Sequence, residues 1–85
     1  MLHLPNNIID DLGEIILLSK RFSNISFILA HGGVVQKCQK RVNEYQLSIT
    51  KIKDIENIYI DTSGINQPLF LSILLRSFNK KRILY

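Results

Sequence analysis

The sequence predicts an α/β fold with parallel strands, because three short apolar runs each lead to a polar residue. Phe27 to Gly33 reads FILAHGG, a wholly apolar run that delivers His31 onto a glycine pair. The run Ile58-Tyr59-Ile60 leads to Asp61 in the same way, and His3 ends the apolar piece at the start of the sequence. These polar residues stand about one strand-helix-loop unit of ~30 residues apart. Short apolar runs suit strands buried on both faces of a parallel sheet.

The first helix is expected from Ile8 to Phe22, where apolar residues recur at helical spacing. Pro5-Asn6-Asn7 supplies a helix start, and Asp10 and Asp11 place acids in the first turn. After a turn at Ser23-Asn24, the run from Ser26 to Ala30 is expected to form a strand.

The second helix is expected after the glycine pair, because Val35, Cys38, Val42 and Tyr45 repeat with a helical period. The stretch from Gln46 to Asn57 mixes an alternating pattern with a spacing of three. A loop followed by a short helix is one interpretation of it, and its boundaries stay open.

The last part of the sequence predicts a strand, a helix and the start of another strand. Ile58 to Ile60 forms the strand, and Asp61 to Gly64 forms a polar turn. Asn66 and Pro68 open the third helix, which ends near Asn79. The run Ile83-Leu84-Tyr85 begins a fourth strand.

This order of elements predicts parallel strands joined by right-handed crossovers, with the polar strand-end residues on one edge of the sheet. Residues 1–85 form a single domain, since the length leaves no room for a second. Two architectures fit. One is part of a (β/α)8 barrel, which as a whole needs ~250 residues. The other is a self-sufficient four-stranded open sheet.

Composition excludes several classes of protein. The chain is 46% hydrophobic and 21% charged, as expected for an ordinary globular domain rather than a disordered one. Apolar runs fall well short of the ~20 residues that cross a bilayer, and no leader pattern opens the sequence. We therefore expect a cytoplasmic protein with no membrane partner. The lone Cys38 agrees with a reducing compartment.

The net charge of +4 does not by itself indicate nucleic-acid binding. Basic residues are scattered along the sequence, at Lys20-Arg21, at Lys37, Lys40 and Arg41, and at Lys80 to Arg82. Most of them suit helix ends and solvated faces. Because no nucleic-acid-binding motif is present, no nucleic-acid partner is expected.

Four motifs in order, LHLP, FILAHGG, NIYIDTSG and KRILY, resemble the second half of an amidohydrolase-related metal-dependent hydrolase barrel. The resemblance implies a partial (β/α)8 TIM barrel, roughly strands five to eight with three intervening helices. It implies that His3 is a metal ligand, and that His31 is either a further metal ligand or a catalytic residue that polarises the attacking water and the substrate. For Asp61 it implies an architectural role in the turn after its strand.

The same resemblance implies a divalent metal ion, zinc foremost and manganese as the alternative, and a small-molecule substrate. The reaction would be C–N or ester hydrolysis, or decarboxylation, through a metal-activated water. The family's first-strand His-x-His pair is absent, and its eighth-strand aspartate would follow Tyr85. We therefore expect a truncated piece that is inactive alone, with a partner chain supplying the missing half or with self-association.

Each candidate residue also has a structural interpretation. His31 could be a histidine that only donates a hydrogen bond to a backbone carbonyl, and Asp61 could cap the turn before the third helix. His3, near a chain end, could be an ordinary surface histidine. The alternative function is a small non-catalytic α/β interaction module that self-associates through open sheet edges.

Overall fold

Four short parallel strands lie side by side in the order in which they occur along the chain. The computed structural model describes residues 2–4, 7–33, 41–63, 65 and 68–84. The strands are β1 (Leu2–Leu4), β2 (Phe27–Leu29), β3 (Ile58–Asp61) and β4 (Ile83–Leu84), in the spatial order β1-β2-β3-β4. Every neighbouring pair is parallel. The α/β class with parallel strands is thus confirmed, and the sheet is compatible with part of a larger α/β fold.

Within the described ranges, one α-helix lies between each pair of consecutive strands. These helices are α1 (Leu12–Arg21), α2 (Val42–Ile52) and α3 (Pro68–Ser77). Short turns at Ala30–Gly33 and Lys80–Arg82 follow β2 and precede β4. None of the helices in the described ranges has the length and apolar character needed to cross a lipid bilayer.

The predicted start of the first helix at Ile8 is wrong by one turn, since α1 begins at Leu12. The Asn7 side-chain oxygen accepts hydrogen bonds from the backbone N–H groups of Ile9, at 2.8 Å, and Asp10, at 3.3 Å. These are the hydrogen bonds of an N-cap residue, the capping side chain that the sequence predicts here, and the Asp11 N–H donates to the Asn7 carbonyl at 2.9 Å. Asn7 therefore caps a turn over residues 8–11 that leads into the regular helix.

Helix α2 runs without a break to Ile52 and occupies much of the stretch that the sequence left open. Its buried side chains, Tyr45, Ser48, Ile49 and Ile52, form one helical stripe, while Leu47 is 61% exposed. The helical period thus prevails over the alternating one. The part of the predicted second helix that rests on Val35 and Cys38 lies outside the described residues.

The hydrophobic core lies between the three helices and one face of the sheet. Strand residues Leu29, Ile58, Ile60 and Ile83 pack there against apolar residues of the helices. Within it the rings of Tyr45 and Phe70 meet edge to face, with centroids 4.8 Å apart, a favoured aromatic geometry. Because side chains alternate along a strand, His3, Ile28 and Tyr59 share the opposite face.

Two side chains fasten the helix ends to the amino-terminal edge of the sheet. Asn57, just before β3, donates from its side-chain nitrogen to the carbonyls of Ser19, at 3.0 Å, and Ile25, at 2.9 Å. The buried guanidinium of Arg82, just before β4, donates to the carbonyls of Lys53 and Ile55. The Ser19 and Lys53 carbonyls lie at helix ends, where backbone acceptors lack helical partners, and the Ile25 and Ile55 carbonyls belong to the loops before β2 and β3. The candidate site lies at the opposite edge of the sheet, where the strands have their carboxyl ends.

Candidate functional site

The chain leaves β2 through a left-handed turn that carries His31. His31 has φ 55° and ψ 38°, and the φ values of Gly32 and Gly33 are 68° and 74°. Among the described residues, His31 is the single non-glycine residue with a positive φ. This conformation costs an L-residue roughly 1–2 kcal/mol, so the surrounding structure must hold it.

Close packing and hydrogen bonds to its two glycine carbonyls hold this turn in place. The Tyr45 hydroxyl donates to the Gly32 carbonyl at 2.8 Å in the buried core, and the Ile8 N–H donates to the Gly33 carbonyl at 2.8 Å. A Cβ at Gly32 would lie 2.6 Å from Ile65 Cδ1, and one at Gly33 would lie 2.8 Å from Ile8 Cβ. The glycine pair is therefore required both for its backbone conformation and for close packing.

The His31 imidazole is held through one of its two nitrogens. Its Nδ1 lies 2.7 Å from the backbone carbonyl oxygen of Ser63, in the turn after β3. A carbonyl oxygen only accepts, so Nδ1 must carry the proton. In the neutral ring Nε2 then presents a lone pair, and the His31 side chain is exposed. This hydrogen bond is the one expected of a structural histidine. It also leaves Nε2 available for a proton or a ligand.

Asp61 organises the neighbouring turn. Its Oδ1 accepts a hydrogen bond from the Ser63 N–H at 2.8 Å, a local side-chain-to-backbone contact typical of aspartate in turns. This bond is the main cause that lowers the pKa of Asp61, and the Ser63 hydroxyl together with the charges of His31 and His3 acts in the same direction. The structure agrees with the architectural role and with the turn-capping interpretation. The Asp61 carboxylate thereby fixes the segment whose carbonyl holds His31.

His3 does not stand at the end of its strand, and that expectation is corrected. It lies in the middle of β1, paired with Ile28, because Leu4 continues the parallel ladder opposite Leu29. Its side chain is exposed. The charge of His3 still acts on Asp61, which places both residues in one electrostatic neighbourhood with His31.

The described residues do not assemble a complete metal site. No group of three or more histidine, cysteine, aspartate or glutamate side chains in the described ranges is placed to hold a metal ion. Structural zinc sites use four protein ligands and catalytic ones use three. His3 and His31 provide two imidazoles, and the Asp61 carboxylate already bonds within its own turn.

The sequence does not predict two of the contacts that hold His31 and its turn in place. Tyr45 was expected as an apolar helix residue, and its hydroxyl contact with Gly32 depends on how α2 packs against the turn. Ser63 binds His31 through its backbone carbonyl and not through its hydroxyl. A main-chain carbonyl leaves no signal in a sequence, whereas a tyrosine on a buried helical stripe does signal a need for a hydrogen-bond partner.

Comparisons of the chain with protein-family models, with curated proteins and with solved structures find no match.

Proposed function

We propose that this chain is part of a metal-dependent hydrolase of the amidohydrolase-related kind, in which its four strands form the fifth to eighth strands of a (β/α)8 barrel. The observation that supports this best is the position of His31 on the turn after β2, with Nδ1 bonded to Ser63 and Nε2 free. Two further features agree: the strands follow one another in chain order, and all are parallel. The small-molecule substrate would be an amide, an ester or an aromatic acid, and the protein would act in the cytoplasm.

The donors on this chain fit one or two ligand positions rather than a whole metal site. Histidines that bind metal usually donate their other ring N–H to a carbonyl or carboxylate, and the bond from Nδ1 of His31 to Ser63 has this form. A tight zinc or manganese site would still need donors beyond His3 and His31. The resemblance assigns these donors to segments other than residues 1–85. The chain is therefore proposed to be inactive alone.

His31 itself can perform the proton transfer that hydrolysis requires. A neutral imidazole whose Nδ1–H is fixed can accept a proton from water at Nε2, and histidine is the commonest residue in this role. This role is an alternative to metal binding by His31, because Nε2 has a single lone pair and cannot hold a metal ion and accept a proton at the same time. The hydrogen bond to Ser63 fixes the tautomer and the ring orientation, which is the arrangement that a general base needs. Asp61 acts indirectly, because it positions the turn that carries the Ser63 carbonyl.

Zinc titration of the chain tests this proposal. Calorimetry on the purified protein should detect weak binding that His31→Ala abolishes and His3→Ala reduces. Far-UV circular dichroism of each variant checks that the fold is kept, since both side chains are exposed. Mixing the chain with a barrel half that carries a His-x-His pair should tighten zinc binding. Binding that His31→Ala leaves unchanged would contradict the proposal.

A small α/β interaction module remains the second candidate, and the edges of the sheet support it. β1 and β4 each have one neighbouring strand among the described residues, and Leu2 on β1 is 50% exposed. Open edges of this kind promote self-association. Sedimentation velocity of the isolated chain should show a concentration-dependent dimer under this hypothesis. A monomer at all concentrations, together with zinc binding through His31, would favour the hydrolase assignment.

A further inference from the structure

The fold gathers at one end of the molecule basic residues that are scattered along the sequence. In a parallel α/β arrangement every connecting helix runs back along the sheet, so all the helices end at the amino-terminal edge of the strands. α1 ends with Lys20 and Arg21, and α2 ends with Lys51, followed by Lys53. Lys80 and Lys81 follow α3 and precede β4. We call these six residues the basic end.

The six side chains of the basic end are exposed and form no salt bridge within the described part of the chain. Two carboxylates, Asp54 and Glu56, lie in the same region, between α2 and β3. Within the described part of the chain the salt bridges are those of Arg41 with Asp10 and Glu44, and none involves a residue of the basic end. Its charge is therefore available to a partner.

The partial negative charges at the carboxyl ends of the helices neutralise only part of the positive charge at the basic end. Each helix carboxyl terminus carries an effective charge of roughly −0.5, so three of them contribute about −1.5. Together with Asp54 and Glu56 they offset about 3.5 positive charges. Arg76 in the last turn of α3 and the buried Arg82 bring the cations at this end to eight, so about 4.5 positive charges remain. Acidic residues occupy the other end, with Glu14 in the first turn of α1 and Glu44 in the first turn of α2. The molecule is thus polarised along the strand direction.

We propose that the basic end binds the phosphodiester backbone of nucleic acid without preference for base sequence. The three pairs of cations lie at the ends of α1 and α2 and in the turn after α3. Helices α2 and α3 pack against each other, and packed helices lie about 10 Å apart, so three successive helix ends form a row at least about 20 Å long that suits a linear polyanion. A duplex carries one negative charge per ~1.7 Å of its axis, so about 12 phosphates lie along such a row.

An aromatic ring at the same end adds a surface on which an unpaired base can stack. Phe22, directly after α1, is 41% exposed, and the Arg21 guanidinium lies 5.8 Å from its ring centroid. Aromatic and arginine faces of this kind stack on bases that leave a duplex. This surface lies at the opposite edge of the sheet from His31, so the inference does not depend on the proposed hydrolase site.

Fluorescence anisotropy with a labelled DNA oligonucleotide, single-stranded and as its duplex, tests the proposal over a salt series. With all six cations engaged, affinity should fall about a thousandfold between ~50 and ~200 mM salt. The double variant K51Q/K81Q should lower the slope of log affinity against log salt by about 2, which reduces the fall to about a hundredfold. A second oligonucleotide of different sequence should bind equally well.

The control variant N43E/Q46E lowers the net charge by the same amount through two exposed residues in the amino-terminal half of α2. Its salt slope should equal that of the unmodified chain. The proposal is overturned if neither form of DNA binds at ~50 mM salt, or if the two double variants weaken binding equally. Binding to vesicles of anionic lipid without binding to DNA would also overturn it, as would salt-sensitive self-association in place of DNA binding.

Discussion

Alanine at Gly33 should destabilise the chain severely, whereas alanine at Gly13 should not. Gly33 has φ +74°, and the left-handed region costs an L-residue roughly 1–2 kcal/mol. A Cβ there would also lie 2.8 Å from the Cβ of Ile8, and overpacking of this kind costs about 1–3 kcal/mol. We expect Gly33→Ala to lower the free energy of unfolding by about 2–5 kcal/mol. That is a large part of the roughly 4–13 kcal/mol expected for a chain of this length.

Gly13 gives the matched control because it lies near the start of α1, and a Cβ added there would meet no atom of another element within 4 Å. Gly13→Ala should raise the free energy of unfolding by up to about 1 kcal/mol, since alanine is the better helix former. Urea denaturation followed by circular dichroism measures both variants. If the two variants differ by less than about 0.5 kcal/mol, the tight turn that positions His31 does not exist in solution.

Three further variants test individual contacts. Tyr45→Phe leaves the Gly32 carbonyl buried without its partner and should lower the free energy of unfolding, measured by urea denaturation, by about 1–3 kcal/mol. The control Tyr59→Phe, on the other face of the sheet, should lower it by less than about 0.5 kcal/mol. Asn57→Ala removes the donor to the carbonyls at the end of α1 and should cost about 1–3 kcal/mol, measured as a lower urea midpoint; an unchanged midpoint would show that water replaces the amide. The pKa of Asp61 is lower in the folded chain than in the unfolded chain, where it is ~3.9. The ionised carboxylate therefore stabilises the fold above pH ~3.9, and this contribution is lost as the pH falls through the pKa of the folded chain. The urea midpoint of the unmodified chain should therefore fall more steeply below pH ~4 than that of Asp61→Asn, and parallel curves would contradict this.

The α/β class follows from the sequence because each strand is a short apolar run and each helix has an apolar stripe. Ile58 to Ile60 and the stripe through Phe70 and Leu74 are buried as these patterns require. The predicted capping side chain is present at Asn7, but the turn that it caps, residues 8–11, precedes the regular helix α1. A helix boundary can shift by one turn in this way without changing the class of fold.

The candidate site is less predictable because its decisive contacts are long-range and involve the main chain. His31 stands out in the sequence through its glycine neighbours, but its partner is the carbonyl of Ser63, 32 residues away. His3 lies one position inside its strand because Leu4 pairs with Leu29, a register that β1 alone does not specify. The basic end likewise results from the parallel topology, which brings together three pairs of cations that are far apart along the chain.

The tautomer of His31 is the measurement that tests the proposed site most directly. Long-range ¹H–¹⁵N correlation spectra of the neutral imidazole, assigned with His31→Gln, distinguish a proton on Nδ1 from one on Nε2. The hydrogen bond to the Ser63 carbonyl predicts the Nδ1–H form, with the Nε2 resonance shifting when zinc is added. An Nε2–H form would contradict both roles proposed for His31, and an Nε2 resonance that zinc leaves unchanged would contradict its role as a metal ligand.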